Sequence, residues 1–118
     1  MVQIEKPNWY WTRGLFDAEV LDVHVIEVSY DYKQKNPIRN FLSIKLNSRQ
    51  AMNDTSIREI RLFNAKILSD SFECVGYWWV RDRLEKEGNK FLISIELRNS
   101  RCSRTIVIRF DDAIVLRN

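Results

Sequence analysis

The residues that most often carry enzyme chemistry are scarce in this chain. Its 118 residues include one histidine, His24, and two cysteines, Cys74 and Cys102. A Ser-His-Asp or Cys-His site would have to use that histidine, and a structural zinc site needs about four Cys or His ligands. His24 lies on the polar side of an alternating apolar pattern, which is typical of a solvent-facing strand residue. The composition therefore argues against both kinds of site.

Other catalytic arrangements are equally weak in the sequence. Asp111 and Asp112 are the obvious pair of carboxylates, but neighbouring strand residues point to opposite sides, and the dipeptide is more typical of a turn. Neither GxGxxG nor GxxxxGK[ST] occurs, so the usual phosphate-binding loops are missing. We therefore predict a protein that is not an enzyme, with no catalytic residue, no metal ligand and no cofactor.

The cysteines and the N-terminal sequence suggest a cellular compartment. Cys74 and Cys102 are expected to be free thiols, and one disulfide between the last two hairpins is the alternative. No apolar stretch of signal-peptide length follows a basic start, and nothing approaches the ~20 apolar residues of a membrane span. We expect a cytoplasmic protein without a membrane partner.

The tryptophans are the most suggestive residues for binding. All four lie in two clusters, residues 9–11 (Trp-Tyr-Trp) and 77–79 (Tyr-Trp-Trp). Alternate members can enter the core, but adjacent strand residues cannot all face one core, so each cluster should expose at least one ring. Exposed Trp and Tyr side chains suit protein hot spots, sugar platforms and base stacking. A purely structural role for both clusters is the alternative.

The charges are nearly balanced in total but unevenly placed. Nineteen Lys and Arg stand against 16 Asp and Glu, and a net charge of +3 argues against nucleic acid, whose binding needs a basic stripe. Residues 15–32 carry acids and no Lys or Arg, whereas residues 90–109 are basic apart from Glu96. The two stretches either pair across one sheet or form separate acidic and basic faces.

The elements that must position these residues are strands. Apolar residues recur at spacing two along most of the chain, and no helix of ten residues or more is convincing. A change of phase after Val20, and another after Val25, predicts a β-bulge in the first strand. Turns are predicted at 33–37 and 88–89, and residues 81–87 either extend a strand or form one helical turn. The predicted strands span about 16–31, 42–46, 57–68, 73–80, 91–97, 105–110 and 113–116.

These elements predict a single all-β domain over residues 1–118. Its architecture is expected to be an antiparallel β-sandwich or small barrel of about seven strands with at most one short helix. In general character the chain is similar to small all-β toxin-immunity proteins of bacteria, which are single domains poor in His and Cys, with scattered tryptophans and strong surface charge. That resemblance implies a role in binding another protein and no role for any particular residue.

The predicted function is non-catalytic binding, most simply of another protein. An exposed aromatic anchor would be desolvated on contact, and flanking charges would set the orientation. Self-association and binding of carbohydrate or nucleic acid are the alternatives. The candidate binding residues are Trp9, Trp11, Arg13, Trp78, Trp79 and Arg81, with Asp82 as a further flanking charge.

Overall fold

Eight antiparallel strands form the regular structure of the protein. The computed structural model describes residues 10–11, 15–26, 40–51, 55–69 and 73–118, and these contain no helix. The strands are β1 (Glu19–Ile26), β2 (Phe41–Asn47), β3 (Ile57–Phe63), β4 (Lys66–Ile67), β5 (Trp78–Glu87), β6 (Lys90–Arg98), β7 (Ser103–Phe110) and β8 (Asp112–Arg117).

The strand pairings close into a ring. The order across the sheet is β4-β7-β6-β5-β1-β2-β3-β8. Strand β3 pairs with β8, and after a short bend the following strand β4 pairs with β7, which itself leads into β8. The bend between β3 and β4 lies at Asn64, which has a φ of 51°. At the bend between β7 and β8, the backbone N–H of Asp111 donates to the carbonyl of Phe63 at 3.0 Å. The fold is therefore an antiparallel, barrel-like structure with its core inside the ring.

Alternation of side chains fills that core. The inner positions of β2, β3, β6 and β7 are Leu, Ile or Phe, whereas the intervening positions are mostly polar. Burying one such side chain contributes roughly 1.5–3 kcal/mol. The largest fully buried side chains are Trp79, Phe110, Leu15, Leu42, Ile57, Ile60, Leu62, Ile93, Ile95, Ile108, Val20 and Ser43.

The join between β1 and β5 is the shortest in the ring. Its only register pair among the described residues is Glu19 with Trp78. Backbone hydrogen bonds of 2.8 Å run from Asp17 to the carbonyl of Trp79 and from Trp79 to that of Ala18. Before β5 the chain turns at Gly76, whose φ of 84° suits a residue without a Cβ. A concave surface lies over this short seam.

Most of the predicted elements are confirmed. The all-β antiparallel architecture is as expected, and the strands predicted at 42–46, 91–97, 105–110 and 113–116 are present. The phase change after Val20 coincides with an irregularity of register between Val20 and Asp22. Residues 81–87 continue β5 and do not form a helical turn. No irregularity of register accompanies the second phase change, since Val25 pairs with Leu42 and Ile26 pairs with Phe41. Residues 27–31 and the turn at 33–37 lie outside the described residues.

Three predicted strands differ from the structure. The first begins at Glu19 and not at residue 16, because residues 16–17 form a turn in which Asp17 has a φ of 72°. Residues 73–77 are not in a strand, because the left-handed turn at Gly76 places the start of β5 at Trp78. The predicted strand over 57–68 is interrupted at Asn64, where the chain leaves β8 and joins β7 as β4. The short strand β4 accounts for the difference between about seven strands and eight.

A carboxylate on the inner side of β5 binds three aromatic side chains. A register irregularity between Trp79 and Arg81 places Trp79 and Asp82 on the same face. The indole N–H groups of Trp11 and Trp79 each donate to Oδ2 of Asp82 at 2.9 Å. The hydroxyl of Tyr10 donates to Oδ1 of Asp82. The pKa of Tyr10 is raised, mainly by burial and secondly by this hydrogen bond. Asp82 thereby fastens residues 10–11 against β5.

Replacing Asp82 should destabilise the fold. In Asp82→Asn the carboxamide has one acceptor oxygen for three donors, and its NH₂ group faces them. Because buried indole N–H groups would lose their partner, the free energy of unfolding should fall by about 2–4 kcal/mol. Urea denaturation followed by far-UV circular dichroism measures it.

The matched control for this prediction is Glu85→Gln. Glu85 lies on the same strand and its carboxylate contacts the exposed Arg83 at 2.9 Å. Its loss should change the free energy of unfolding by about 0.5 kcal/mol or less. Equal effects of the two substitutions would show that the three aromatic donors do not depend on Asp82.

Candidate functional site

A groove of about 550 Å³ lies over the seam between β1 and β5. Its volume is within the roughly 300–1,000 Å³ of pockets that bind small molecules or single anchoring side chains. The seam is concave because β1 and β5 share one register pair before the chain departs at the Gly76 turn. Among the described residues, the groove is lined by Phe16, Asp17, Gly76, Trp78, Val80, Arg98, Asn99 and Ser100.

The floor of the groove is apolar. Trp78 is 50% exposed, whereas its neighbours Tyr77 and Trp79 are buried. For Trp78 and Trp79 this follows from strand geometry, since adjacent strand residues point to opposite faces, and Trp79 occupies the inner one. Tyr77 is buried from the turn before β5. Half-buried Phe16 and Val80 line the groove with it. Trp78 is exposed on a strand whose other aromatic residue, Trp79, is fixed in the core. The indole of Trp78 is therefore a rigid contact surface.

Charged side chains stand on both sides of Trp78. The strand register places Glu19 of β1 opposite Trp78, and Trp78 opposite Arg98 of β6. Asp17 lines the groove from the turn before β1, in a left-handed conformation with a φ of 72°. The side chains of Asp17, Glu19 and Arg98 make no hydrogen bond or ion pair within the described part of the chain. They are therefore available to a ligand.

The rim beside Arg98 is an ordered turn. The side-chain oxygen of Asn99 accepts hydrogen bonds of 2.8 Å from the backbone N–H groups of Arg101 and Cys102. The backbone N–H of Asn99 donates to the carbonyl of Cys102 at 3.0 Å. Asn99 thus shapes the turn with one side-chain oxygen, and its position beside Arg98 is fixed by the backbone.

Both cysteines are free thiols, but their surroundings differ. The hydroxyl of Tyr77 lies 3.2 Å from Sγ of Cys102. Two hydrogen bonds lower the pKa of the half-buried Cys102, and the one from Tyr77 has a larger effect than the one from Arg104. Burial, with the nearby Glu73, raises the pKa of Cys74 to about 11. We therefore expect Cys102 to be the more reactive of the two thiols near neutral pH.

Alkylation should distinguish the two thiols. Iodoacetamide at neutral pH should modify Cys102 more than about tenfold faster than Cys74, because the thiolate reacts and Cys102 is the more accessible residue. Tyr77→Phe should slow the reaction of Cys102 by removing its hydroxyl partner. Peptide mapping by mass spectrometry over a time course measures both rates. Equal rates in the native protein would contradict this assignment.

The candidate residues from the sequence fall into four groups. Trp78 lines the groove. Trp11 and Trp79 are 2% and 1% exposed, so the candidate surface excludes them: their indoles are directed into the core by Asp82. Arg81 is exposed on β5 outside the groove, with Nε 2.5 Å from Oε2 of Glu96. Trp9 and Arg13 lie outside the described residues.

Sequence analysis missed most of the groove. Asp17 and Arg98 were seen only as members of the acidic and basic stretches, because no local pattern indicates which strands are neighbours. The structure places β5 between β1 and β6. No ion pair between described residues joins the two stretches. The described residues therefore do not support the hypothesis that the acidic and basic stretches neutralise each other across the sheet. Instead, acidic and basic side chains lie on opposite sides of Trp78.

A second polar cluster lies on the outer face of β1, β2 and β3. Nδ1 of His24 is 2.6 Å from Oδ2 of Asp22. Opposite His24 in the register, the buried Ser43 donates its hydroxyl to Oε2 of Glu59 at 2.9 Å. Arg61 donates to the same oxygen at 2.7 Å. Because the hydroxyl of Ser43 is enclosed and donated to a carboxylate, this arrangement is structural and not that of a nucleophilic serine.

The ionisation of Glu59 should make stability depend on pH. Burial opposes the charge of Glu59, but hydrogen bonds from Arg61 and Ser43 outweigh it, and the net effect lowers its pKa. A lowered pKa in the folded protein contributes stability above the unfolded value of about 4.3, and this contribution is lost as the pH falls through the folded value. Glu59→Gln should therefore be less stable than the native protein at pH 7, with the difference shrinking below about pH 4.3.

Urea denaturation across this pH range tests the prediction. Parallel stability curves for the native protein and Glu59→Gln would contradict it. Arg61→Gln offers a second measurement, because removal of the guanidinium should raise the pKa of Glu59 and reduce the same pH dependence.

Comparisons with known proteins give no family assignment. No family model, no curated protein and no solved structure matches the chain. Within the described ranges, no three His, Cys, Asp or Glu residues are grouped as ligands for a metal ion. Those ranges also contain no helix of the length and apolar character required to cross a membrane.

Proposed function

We propose that this protein is a non-catalytic binding domain that takes a segment of another protein in the groove at Trp78. The observation that carries the proposal is the half-exposed indole of Trp78 on the floor of a concave surface. Protein interfaces concentrate their free energy in a few such residues, most often Trp, Tyr and Arg.

The surroundings of Trp78 support this role. An interface has an apolar centre and a polar rim, and here Phe16 and Val80 flank the indole while Asn99 and Ser100 line the groove beside it. The backbone of Trp78 is paired on both sides, with Glu19 and with Arg98. A rigid anchor loses little conformational entropy on binding, so more of the contact energy becomes affinity.

A saccharide ligand is the second candidate. The volume of the groove suits a small molecule, and an exposed indole beside carboxylate, amide and hydroxyl groups can stack on a sugar ring and hydrogen-bond its hydroxyls. Nucleic acid is less compatible with the same surface, because Asp17 and Glu19 would repel phosphates. Recognition of a bacterial toxin, as in an immunity protein, would be one case of the proposed protein binding.

Trp78→Ala should abolish recognition without loss of the fold. Peptides enriched from a random display library on the native protein should bind Trp78→Ala at least about tenfold more weakly, since a central anchor is worth about 2 kcal/mol or more. Fluorescence polarisation with the synthetic peptides measures affinity, and circular dichroism checks folding. Ile114→Ala on β8 is the matched control, because Ile114 is also an exposed apolar residue, at 44%, outside the groove.

Two results would contradict the proposal. Enriched peptides that bind Trp78→Ala and the native protein equally would place recognition elsewhere. A glycan array that shows binding dependent on Trp78, with no peptide enriched, would favour the saccharide.

A further inference from the structure

The groove has opposite charges on its two sides. Glu19, Trp78 and Arg98 are register partners across β1, β5 and β6, so they form one row on the outer face. Asp17 adds a second carboxylate from the side of β1. Adjacent strands are about 4.8 Å apart, and the row therefore spans about 10 Å with the indole at its centre. An apolar anchor lies between an acidic side and a basic side.

These charges are not already neutralised by neighbours. Two other arginines on the outer face of β5 have carboxylate partners, Arg81 with Glu96 and Arg83 with Glu85. By contrast, Asp17, Glu19 and Arg98 have no ion-pair or hydrogen-bond partner for their side chains in the described part of the chain. A ligand charge can therefore approach each of them without breaking an internal ion pair.

We propose, building on the function proposed above, that the groove selects a protein segment with an apolar side chain between a cation and an anion. The cation faces Asp17 and Glu19, and the anion faces Arg98. In an extended segment, alternate residues face the same side at intervals of about 6.6 Å, so the outer two of three alternate residues are about 13 Å apart. The long side chains of Lys, Arg and Glu can bridge the difference from the width of the row. A segment crossing the strands with Lys or Arg four residues from Asp or Glu, and an apolar residue midway between them, fits this surface.

Charge complementarity gives this segment its selectivity. A basic group on the acidic side also approaches the face of an indole, where a cation gains a further attraction. The reverse orientation brings like charges together on both sides, which disfavours binding and fixes one direction across the row. Segments without charge retain only the apolar contact with Trp78.

Double-mutant cycles test this pairing with peptides enriched from the display library. Enriched sequences should carry the cation, the apolar residue and the anion in this arrangement. On the native protein, replacing the peptide acid by Gln should weaken binding about tenfold, and on Arg98→Gln the same replacement should have little effect. Likewise, replacing the basic residue of the peptide should weaken binding to the native protein and should have little effect on the double variant Asp17→Asn, Glu19→Gln. Asn is chosen at position 17 because it tolerates a positive φ.

Arg83→Gln is the matched control for Arg98→Gln. It removes an exposed arginine from the outer face of β5 outside the groove, so the peptide acid should keep its full effect there. Couplings confined to the groove residues, together with weaker binding at high salt, would support the inference.

The two proposals fail in different ways. Peptides that need Trp78 but bind equally well when their charges are neutralised, with no coupling to Arg98, would overturn the charge selectivity and leave protein recognition intact. If no enriched peptide loses affinity on Trp78→Ala, recognition by this groove is overturned and the charge selectivity with it.

Discussion

The three hydrogen bonds accepted by Asp82 hold the structure on which the groove depends. They fix the indoles of Trp11 and Trp79 and the phenol of Tyr10 on the inner side of β5. Because side chains alternate along a strand, an inward Trp79 leaves Trp78 outward. A partly buried acceptor on the inner face of β5 thus favours the orientation that exposes Trp78 on the outer face. Without the carboxylate of Asp82, either of the two adjacent tryptophans could face the core.

The short seam between β1 and β5 explains why the groove lies where it does. Apart from the two-residue strand β4, neighbouring strands elsewhere in the ring pair over five or more residues. At the seam the pairing is reduced to Glu19 with Trp78 and a few backbone hydrogen bonds. The turn at Gly76 adds no side chain, and no heavy atom lies within 4 Å of where its Cβ would be. The result is open space beside an indole.

Local patterns predicted the strands well because alternation records which face is buried. The bulge after Val20 was visible for the same reason, since an extra residue reverses the alternation. The groove was not predictable, because it depends on the pairing of Glu19 with Trp78 and of Trp78 with Arg98. The first pair joins residues distant along the chain, and nothing in a single sequence specifies that register. The choice between Trp78 and Trp79 also depended on Asp82, which is charged and was expected to face solvent.

The small net charge of +3 conceals this arrangement. Some charges neutralise one another, as in the contact between Lys90 at the start of β6 and Asp111 in the turn between β7 and β8. Around Trp78, by contrast, the acids before and at the start of β1 and the arginine at the end of β6 have no ion-pair partner in the described part of the chain. Separated charges of opposite sign at one groove would favour a partner with the complementary order, which is the basis of the selectivity proposed above. The net charge of the chain therefore does not describe the groove, where opposite charges lie on either side of one aromatic ring.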